Sequence, residues 1–166
     1  MKILLDSTYL FPLIDVEINE WWTKAHLSQL LENENYDLYY GDLSLFEIFT
    51  KSMRLILQKK LSLSMDEIQR GINVLVNSIK FQKINWWEHL FESEIILELR
   101  RIHSDSIDCD LFYLAVVNCD IFATFDETMI KKIKANSNIL DWIYEVNPNF
   151  QIWKKDLQKN PENILF

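Results

Sequence analysis

Two short apolar runs in this 166-residue chain each end in an aspartate. Ile3-Leu4-Leu5 precedes Asp6, and residues 121–125 precede Asp126. Apolar runs of this length are typical of strands that are buried on both faces of a parallel sheet. A carboxylate at the end of such a strand is costly to bury unless a partner compensates its charge. In an open α/β sheet this end of the strands is also where ligands bind, so one feature predicts both a fold class and the place of a site.

Strand-like runs alternate with helical patterns along the chain. We predict strands at residues 2–5, 37–40, 83–86 and 121–125, and a last strand near Trp142–Val146. Helical patterns cover about residues 8–14, 19–32, 43–61, 65–79, 88–102, 105–118 and 127–135. Such alternation predicts a three-layer α/β/α domain with a central, mainly parallel sheet. The length predicts one domain, over residues 1–146, followed by a C-terminal tail at 147–166 that packs on it or extends from it.

Composition excludes several classes of protein. With 2 Gly and 3 Pro, the chain has neither the turns of a β-sandwich nor a Gly-rich phosphate loop. The net charge of −8 disfavours a protein that grips nucleic acid by bulk electrostatics. It does not exclude a nuclease, because divalent cations would largely cancel a cluster of four acids. The N-terminal apolar run stops at Asp6, so we expect no signal peptide, no membrane segment and a cytoplasmic protein.

The cysteines and histidines lack the spacing of metal ligands. Cys109 and Cys119 fall in or beside an apolar helical stretch, where free cysteine usually behaves as a small buried hydrophobe. His26, His89 and His103 form neither an HExxH motif nor a pair at ligand spacing. We therefore interpret all three as ordinary histidines.

Four carboxylates are candidates for one hard, oxygen-rich site that would bind Mg²⁺ or Mn²⁺: Asp6, Glu47, Asp108 and Asp126. Each of them has a plainer interpretation. Asp6 and Asp126 each fit the N-cap of a helix. Ser44-x-x-Glu47 fits a capping box, although the apolar neighbours of Glu47 place it near a buried face.

Asp108 is the carboxylate that helical periodicity places on the core side. It shares a face with the apolar residues three, four and seven positions further on, and this stretch contains no basic residue. An acid on the core side needs a partner, which favours a metal ligand over a cap. Asp105 lies on the same side, as an N-cap or as an additional ligand. Asp110 lies about 200° further round the helix and is expected in solvent.

The four acids also occur in a recognisable order. The motifs are Leu5-Asp6-Ser7-Thr8, Phe46-Glu47-Ile48, Asp108 at the start of an apolar helix, and Thr124-Phe125-Asp126. Asp108 and Asp126 are 18 positions apart. This arrangement resembles the PIN-domain nucleases, in particular VapC-type toxins, over roughly residues 2–145. One departure is the usually Ala-rich face of the third motif's helix, which is bulkier here because of Phe112 and Tyr113.

The resemblance implies a function and a set of roles. PIN domains are Mg²⁺- or Mn²⁺-dependent phosphodiesterases that act mostly on RNA; many are toxins silenced by a cognate antitoxin, and they commonly form homodimers. Asp6, Asp108 and Asp126 would bind the metal, and Glu47 would bind it or orient a metal-bound water. Hydroxyl residues would support these ligands, and basic residues would contact the substrate phosphates. The hydroxyl residues are Ser7, Thr8 and Thr124, and the basic ones are Lys51, Arg54 and Lys131.

Three other classes of protein are alternatives to this one. A haloacid-dehalogenase-like phosphatase needs a second aspartate two positions after Asp6, where this chain has Thr8. A receiver domain needs paired early acids and a late lysine after a strand, and neither pattern is convincing. The remaining alternative is a catalytically weak or inactive PIN-fold module that binds RNA or a protein. The presence of all four acids argues against it, since a module without chemistry has little use for clustered, unpaired carboxylates.

Overall fold

The computed structural model describes residues 1–17, 22–88, 94–154 and 162–163. The strands are β1 (Lys2–Leu5), β2 (Asp37–Gly41), β3 (Phe81–Ile84), β4 (Ile121–Ala123), β5 (Gln151–Trp153) and β6 (Glu162–Asn163). The helices are α1 (Ser7–Leu10), α2 (Lys24–Glu32), α3 (Asp42–Leu57), α4 (Met65–Asn77), α5 (Glu94–Ile102), α6 (Ser106–Asn118), α7 (Glu127–Lys134) and α8 (Ser137–Val146). Short 3₁₀ turns cover Phe11–Ile14 and Trp86–Glu88.

The strands form one six-stranded sheet in the order β3-β2-β1-β4-β5-β6. Neighbours from β3 to β5 pair in parallel, and β6 pairs antiparallel with β5 at the edge. The side chains of β1 alternate between the two faces of the sheet. Ile3 and Leu5 belong to one apolar core, and Leu4 belongs to the other. The predicted three-layer α/β/α fold with a mainly parallel sheet is therefore confirmed.

Helix α6 is central to the layer that carries one side of the site. Every residue from 109 to 116 is buried, so this helix has no solvent-facing stripe in its middle. It packs against α5, and its residues share one apolar core with those of α7 and α8. Gly41, the last residue of β2, lets α6 approach closely, because a Cβ there would lie 2.5 Å from Leu111 Cδ2. This close packing brings the first turn of α6 to the carboxyl end of the sheet.

The prediction of a last strand near Trp142–Val146 is wrong, because these residues end helix α8. The Asn136 side chain caps this helix by accepting a hydrogen bond from the Ile139 N–H at 3.1 Å. Ile139 and Ile143, one turn apart, are buried together in the core. The aromatic and β-branched residues of this run suggested a strand, but the cap and the helical spacing of the isoleucines decide the structure.

The fifth strand lies later, at Gln151–Trp153, inside the segment predicted as a tail. It pairs in parallel with β4, and Ile152 and Trp153 are buried. Helix α2 begins at Lys24, and the part of its prediction at residues 19–21 lies outside the described residues. The same holds for residues 89–93 of the helix predicted at 88–102, which includes His89. Among the described helices, none is long and apolar enough to span a bilayer.

Candidate metal centre

Asp6 lies directly after β1 and is buried at the carboxyl end of the sheet. Its N–H donates to the Ala123 carbonyl at 2.9 Å, which continues the pairing of β1 with β4 by one step. Asp6 occupies the N-cap position of α1, but its side chain makes no capping hydrogen bond. Instead, the Ser7 hydroxyl donates to Oδ1 at 3.3 Å and the Thr124 hydroxyl donates to Oδ2 at 3.1 Å. These two hydrogen bonds orient the Asp6 carboxylate.

Glu47 lies in the second turn of α3 and is buried. Because α3 begins at Asp42, Ser44 lies inside the helix and the capping box does not form. One oxygen of Glu47 pairs with the ammonium of Lys51 on the next turn. The other oxygen, Oε2, is buried without a hydrogen-bond partner in the described part of the chain. A buried carboxylate oxygen without a partner is unfavourable, so a ligand there would stabilise it.

Asp108 joins these two acids from the first turn of α6. Asp6, Glu47 and Asp108 each offer one oxygen, and the three oxygens lie within 4.8 Å of one another. Asp105, which the sequence left as a cap or a ligand, is the N-cap of α6. Its side chain accepts hydrogen bonds from the N–H groups of Ile107 at 3.0 Å and Asp108 at 3.3 Å.

Asp126 lies on the other side of Asp108, as the N-cap of α7. Its Oδ1 accepts a hydrogen bond from the Met129 N–H at 2.8 Å, so the capping interpretation is confirmed for this oxygen. Its Oδ2 lies 3.3 Å from Nε2 of His103, and the same nitrogen lies 3.4 Å from Asp108 Oδ2. His103, Asp108 and Asp126 form a second group of atoms within 4.8 Å of one another. The four predicted acids therefore fall into two groups that share Asp108.

The interpretation of His103 as an ordinary histidine missed a residue of this centre. Motif spacing gave no signal, because His103 meets Asp126 only through the fold. Its position five residues before Asp108, just ahead of the α6 cap, was the one local clue. His26, in contrast, is an ordinary histidine, since its ring joins the capping box of Thr23 at the start of α2.

The clustered acids perturb one another. The pKa of Asp6 is raised to about 6, mainly by burial and in addition by the neighbouring Glu47. Lys51, the Thr124 hydroxyl and the main chain of Thr8 offset this rise only in part. The pKa of Asp108 is raised to about 8, mainly by burial and in addition by Asp6, Asp105 and Glu47, against the opposing effect of Lys51. Without a cation, the centre therefore holds its negative charges at a cost in free energy.

The donor set fits a hard divalent cation. Carboxylate oxygens from Asp6, Glu47 and Asp108 are the ligands that Mg²⁺ and Mn²⁺ prefer. The buried Glu47 Oε2 supplies an oxygen that no protein group satisfies in the described residues. The carboxyl edge of a parallel sheet is also where α/β proteins bind ligands. These residues can hold a divalent cation.

Of the predicted phosphate contacts, only Lys51 reaches the centre. Its side chain is 45% exposed, so the ammonium lies between the buried Glu47 and solvent. Arg54 and Lys131 are exposed on α3 and α7, and neither forms an ion pair or hydrogen bond with the acids in the described part of the chain. Their role in binding phosphate stays a prediction.

The expectation that Asp110 is solvated is wrong. Asp110 is buried, and both of its oxygens accept hydrogen bonds from Arg100 Nη2 at 2.8 Å. The prediction placed Asp110 on the correct side of α6, away from Asp108. That side is not in solvent, because α5 packs against it. Cys109 and Cys119 are free and buried, as predicted, and burial raises the pKa of each thiol to about 12.

The chain matches no model of a known protein family and no curated protein. The resemblance to PIN-domain nucleases consequently depends on the four motifs and their spacing.

Proposed function

We propose that the protein is a PIN-like, divalent-metal-dependent phosphodiesterase that cleaves RNA. The observation that carries this proposal is the convergence of Asp6, Glu47 and Asp108 at the carboxyl end of the sheet, where one oxygen of Glu47 has no partner among the described residues. The order and spacing of the acids, which resemble those of PIN-domain nucleases, support the choice of reaction and of RNA as the substrate.

Asp6, Glu47 and Asp108 would hold the Mg²⁺ or Mn²⁺ ion. Such an ion lowers the pKa of a bound water and stabilises negative charge on the phosphate oxygens. Thr124 and Ser7 orient Asp6 through their hydroxyl groups, and Asp105 fixes the first turn of α6 that carries Asp108. Groups that orient metal ligands in this way commonly influence affinity for the metal.

In this proposal, Lys51 would contact a substrate phosphate. Its ammonium group adjoins the buried acids and is nearly half exposed. A flexible, compact positive charge at the rim of an acidic centre offsets the repulsion between the acids and an approaching phosphate. The two thiols offer no competing nucleophilic chemistry, because both are buried and their pKa values are near 12.

The first experiment measures cleavage of single-stranded and structured RNA with Mn²⁺, with Mg²⁺ and with EDTA. We expect metal-dependent cleavage that Asp6→Asn abolishes, while circular dichroism shows that the variant is folded. The matched control is Asp15→Asn. Asp15 is exposed and has a left-handed backbone (φ 57°), which asparagine also adopts, so this control removes one charge far from the centre. Full activity of Asp6→Asn, or equal cleavage in EDTA, would contradict the proposal.

The choice of nucleic acid is a separate question from the metal. Single-stranded DNA of the same sequence is the comparison substrate, because the 2′-hydroxyl is what distinguishes the two. We expect cleavage of RNA at least tenfold faster than cleavage of DNA. The resemblance to VapC-type toxins extends the proposal to a cognate antitoxin and a homodimer, which growth arrest on expression and the mass of the protein in solution would test.

A metal-free binding module is the second candidate function, and one observation favours it. Lys51 already pairs with Glu47, so the chain supplies part of the positive charge that the acids need. This module would not be stabilised by divalent ions. The proposed enzyme would be, by about 2.7 kcal/mol at an Mn²⁺ concentration of about 100 times the Kd. A rise in Tm of about 5–10 °C with Mn²⁺ is therefore expected for the enzyme, and an unchanged Tm would favour the module.

A further inference from the structure

We infer that His103, Asp108 and Asp126 form a second cation site, which selects transition-metal ions over Mg²⁺ because one of its ligands is a ring nitrogen. The inference deepens the proposed function and depends on it only for the catalytic use of the second ion. Asp108 belongs to both groups of ligand atoms, so the two sites would share one carboxylate.

The backbone of His103 is held in place by two helices. The N–H of His103 donates to the Leu99 carbonyl at 2.9 Å, which ties it to the end of α5. Its own carbonyl accepts from the Cys109 thiol of α6 at 3.7 Å. The side chain is 9% exposed, and Nε2 points at the two carboxylates. Nε2 of this buried ring therefore faces both carboxylates at once.

One ring nitrogen cannot satisfy two carboxylates by hydrogen bonding. The Nε2–oxygen distances of 3.4 Å to Asp108 and 3.3 Å to Asp126 exceed the roughly 2.7–2.9 Å of charge-assisted hydrogen bonds. Nε2 carries at most one hydrogen, so one carboxylate is left facing it without a donor. Ligands about 2.1 Å from a common ion lie about 3.0–3.4 Å apart, from octahedral to tetrahedral geometry. The observed separations match those between ligands of one ion.

The atoms that face one another here can all bind one ion. A ring that binds an ion through Nε2 is neutral and carries its hydrogen at Nδ1, so Nε2 offers the ion its lone pair. Oδ1 of Asp126 already accepts a hydrogen bond from the Met129 N–H, so Oδ2 is the oxygen that can bind an ion. A cation between Nε2 and the two oxygens would satisfy all three atoms.

The two groups differ in the chemistry of their ligands. Asp6, Glu47 and Asp108 offer oxygen only, which suits Mg²⁺ and Mn²⁺. The second group adds an imidazole nitrogen, which Mg²⁺ seldom accepts and which Co²⁺, Zn²⁺ and, more weakly, Mn²⁺ do accept. The second site should therefore stay empty in Mg²⁺ and fill in the presence of a transition metal.

The test is a titration of the metal-free full chain with Co²⁺. Calorimetry measures how many ions bind per chain, and the visible absorption of bound Co²⁺ reports which ligands the ion has. We expect two Co²⁺ per chain in the unaltered protein. His103→Gln should remove the second ion or weaken it at least tenfold and should change the spectrum, whereas Asp6→Asn should keep the spectrum of the nitrogen-bound ion. The same titration with Mg²⁺ should show one ion.

Two further variants make the result decisive. His26→Gln is the matched control, because glutamine at that position completes the capping box of Thr23 and should leave both ions bound. Asp126→Ser removes the carboxylate but keeps a side chain that can cap α7, so it tests the site even if His103→Gln fails to fold. Unchanged Co²⁺ stoichiometry and spectrum in His103→Gln, or in Asp126→Ser, would overturn the inference.

The outcomes also separate this inference from the proposed function. Co²⁺ bound through His103 in a protein that cleaves no RNA would support the second site and contradict the nuclease. If the protein cleaves RNA in Mg²⁺ and its Co²⁺ binding does not change in His103→Gln, the result would support the nuclease and overturn the second site.

Discussion

The polar groups at the two ends of the parallel sheet differ in whether they find hydrogen-bond partners. At the amino end, the Lys2 N–H donates to Asp120 at 2.8 Å, the N-terminal ammonium donates to Asn35 O at 2.7 Å, and Asn147 Nδ2 donates to Cys119 O at 2.8 Å. At the carboxyl end, Ser44, Glu47 and His103 each keep a buried polar atom without a partner in the described residues. The amino end is hydrogen-bonded as a structural boundary, whereas the carboxyl end retains in Glu47 Oε2 a buried carboxylate oxygen that a cation would satisfy.

The same contrast occurs within one helix, two residues apart. Asp110 of α6 is buried and paired through both oxygens with Arg100. Asp108 is also largely buried, but the groups around it include Asp6 and Glu47, and its pKa rises to about 8. Burial raises the pKa of both aspartates, but Arg100 offsets the rise at Asp110, whereas neighbouring acids add to it at Asp108. Perturbed pKa values that cluster in this way are characteristic of functional sites.

The largest expected effect is on cleavage. Asp108 belongs to both groups of ligand atoms, so Asp108→Asn should lower Mn²⁺-dependent RNA cleavage by about 10³-fold or more, which corresponds to roughly 4 kcal/mol. Asp120→Asn makes the same change at the amino end and should alter the rate by less than about twofold. Single-turnover cleavage rates at saturating Mn²⁺ measure both. If the cleavage rate fell by a similar factor in both variants, the carboxyl end of the sheet would be no more important for cleavage than the amino end.

The pH dependence of stability should show the cost of the acids directly. The pKa values of Asp6 and Asp108 are raised in the folded chain, so between about pH 4 and pH 8 the folded state binds more protons than the unfolded one. The free energy of unfolding of the metal-free protein should therefore fall by several kcal/mol as pH rises through this range. Urea unfolding in EDTA measures it. Asp108→Asn should flatten the fall above pH 6, and an identical slope in this variant would contradict the assignment.

The two aspartates of α6 should respond with opposite signs to the same substitution. Asp110→Asn removes the charge that pairs with Arg100, and we expect the free energy of unfolding to fall by about 1–2 kcal/mol. This is below the usual cost of breaking a buried ion pair, because the Arg100 side chain is 39% exposed and can turn to water. Asp108→Asn at pH 8 in EDTA should instead raise Tm by several degrees. Thermal unfolding of the two variants under identical conditions decides the signs.

The smallest expected effect lies at the amino end. Asp120→Ala removes the side-chain acceptor of the Lys2 N–H, which is close to solvent, and should cost about 1 kcal/mol or less. The loss in the free energy of unfolding should be the same at pH 6 and pH 8, since Asp120 belongs to neither group of clustered acids found among the described residues. If the loss in the free energy of unfolding grew with pH, the amino end would also contain acids whose charges are unfavourable.

The layers of the fold were predictable because their signals are local. Buried parallel strands such as β1 are continuous apolar runs, and helices such as α4 and α6 show clear caps and starts. The end of the chain was not predictable in the same way. Helix α8 contains Trp142 and Ile143, residues that favour strands, and β5 has three residues, too few to show a period.

The candidate centre was predictable as far as each acid carried its own signal. Strand ends located Asp6 and Asp126, and helical phase located Asp108. The role of Glu47 became clear only from the structure, since the true start of α3 at Asp42 removes the capping box that Ser44 suggested. His103 and the Arg100 partner of Asp110 depend on packing between α5, α6 and α7, which no local pattern encodes.

The most direct test of the metal centre is the anomalous diffraction of a crystal soaked in Mn²⁺. We expect a peak at about 2.2 Å from one oxygen each of Asp6, Glu47 and Asp108. The Glu47 ligand should be the oxygen that otherwise lacks a partner. The absence of a peak among these three carboxylates at saturating Mn²⁺, with Lys51 still paired to Glu47, would contradict the proposal that the carboxyl end of the sheet is a metal centre.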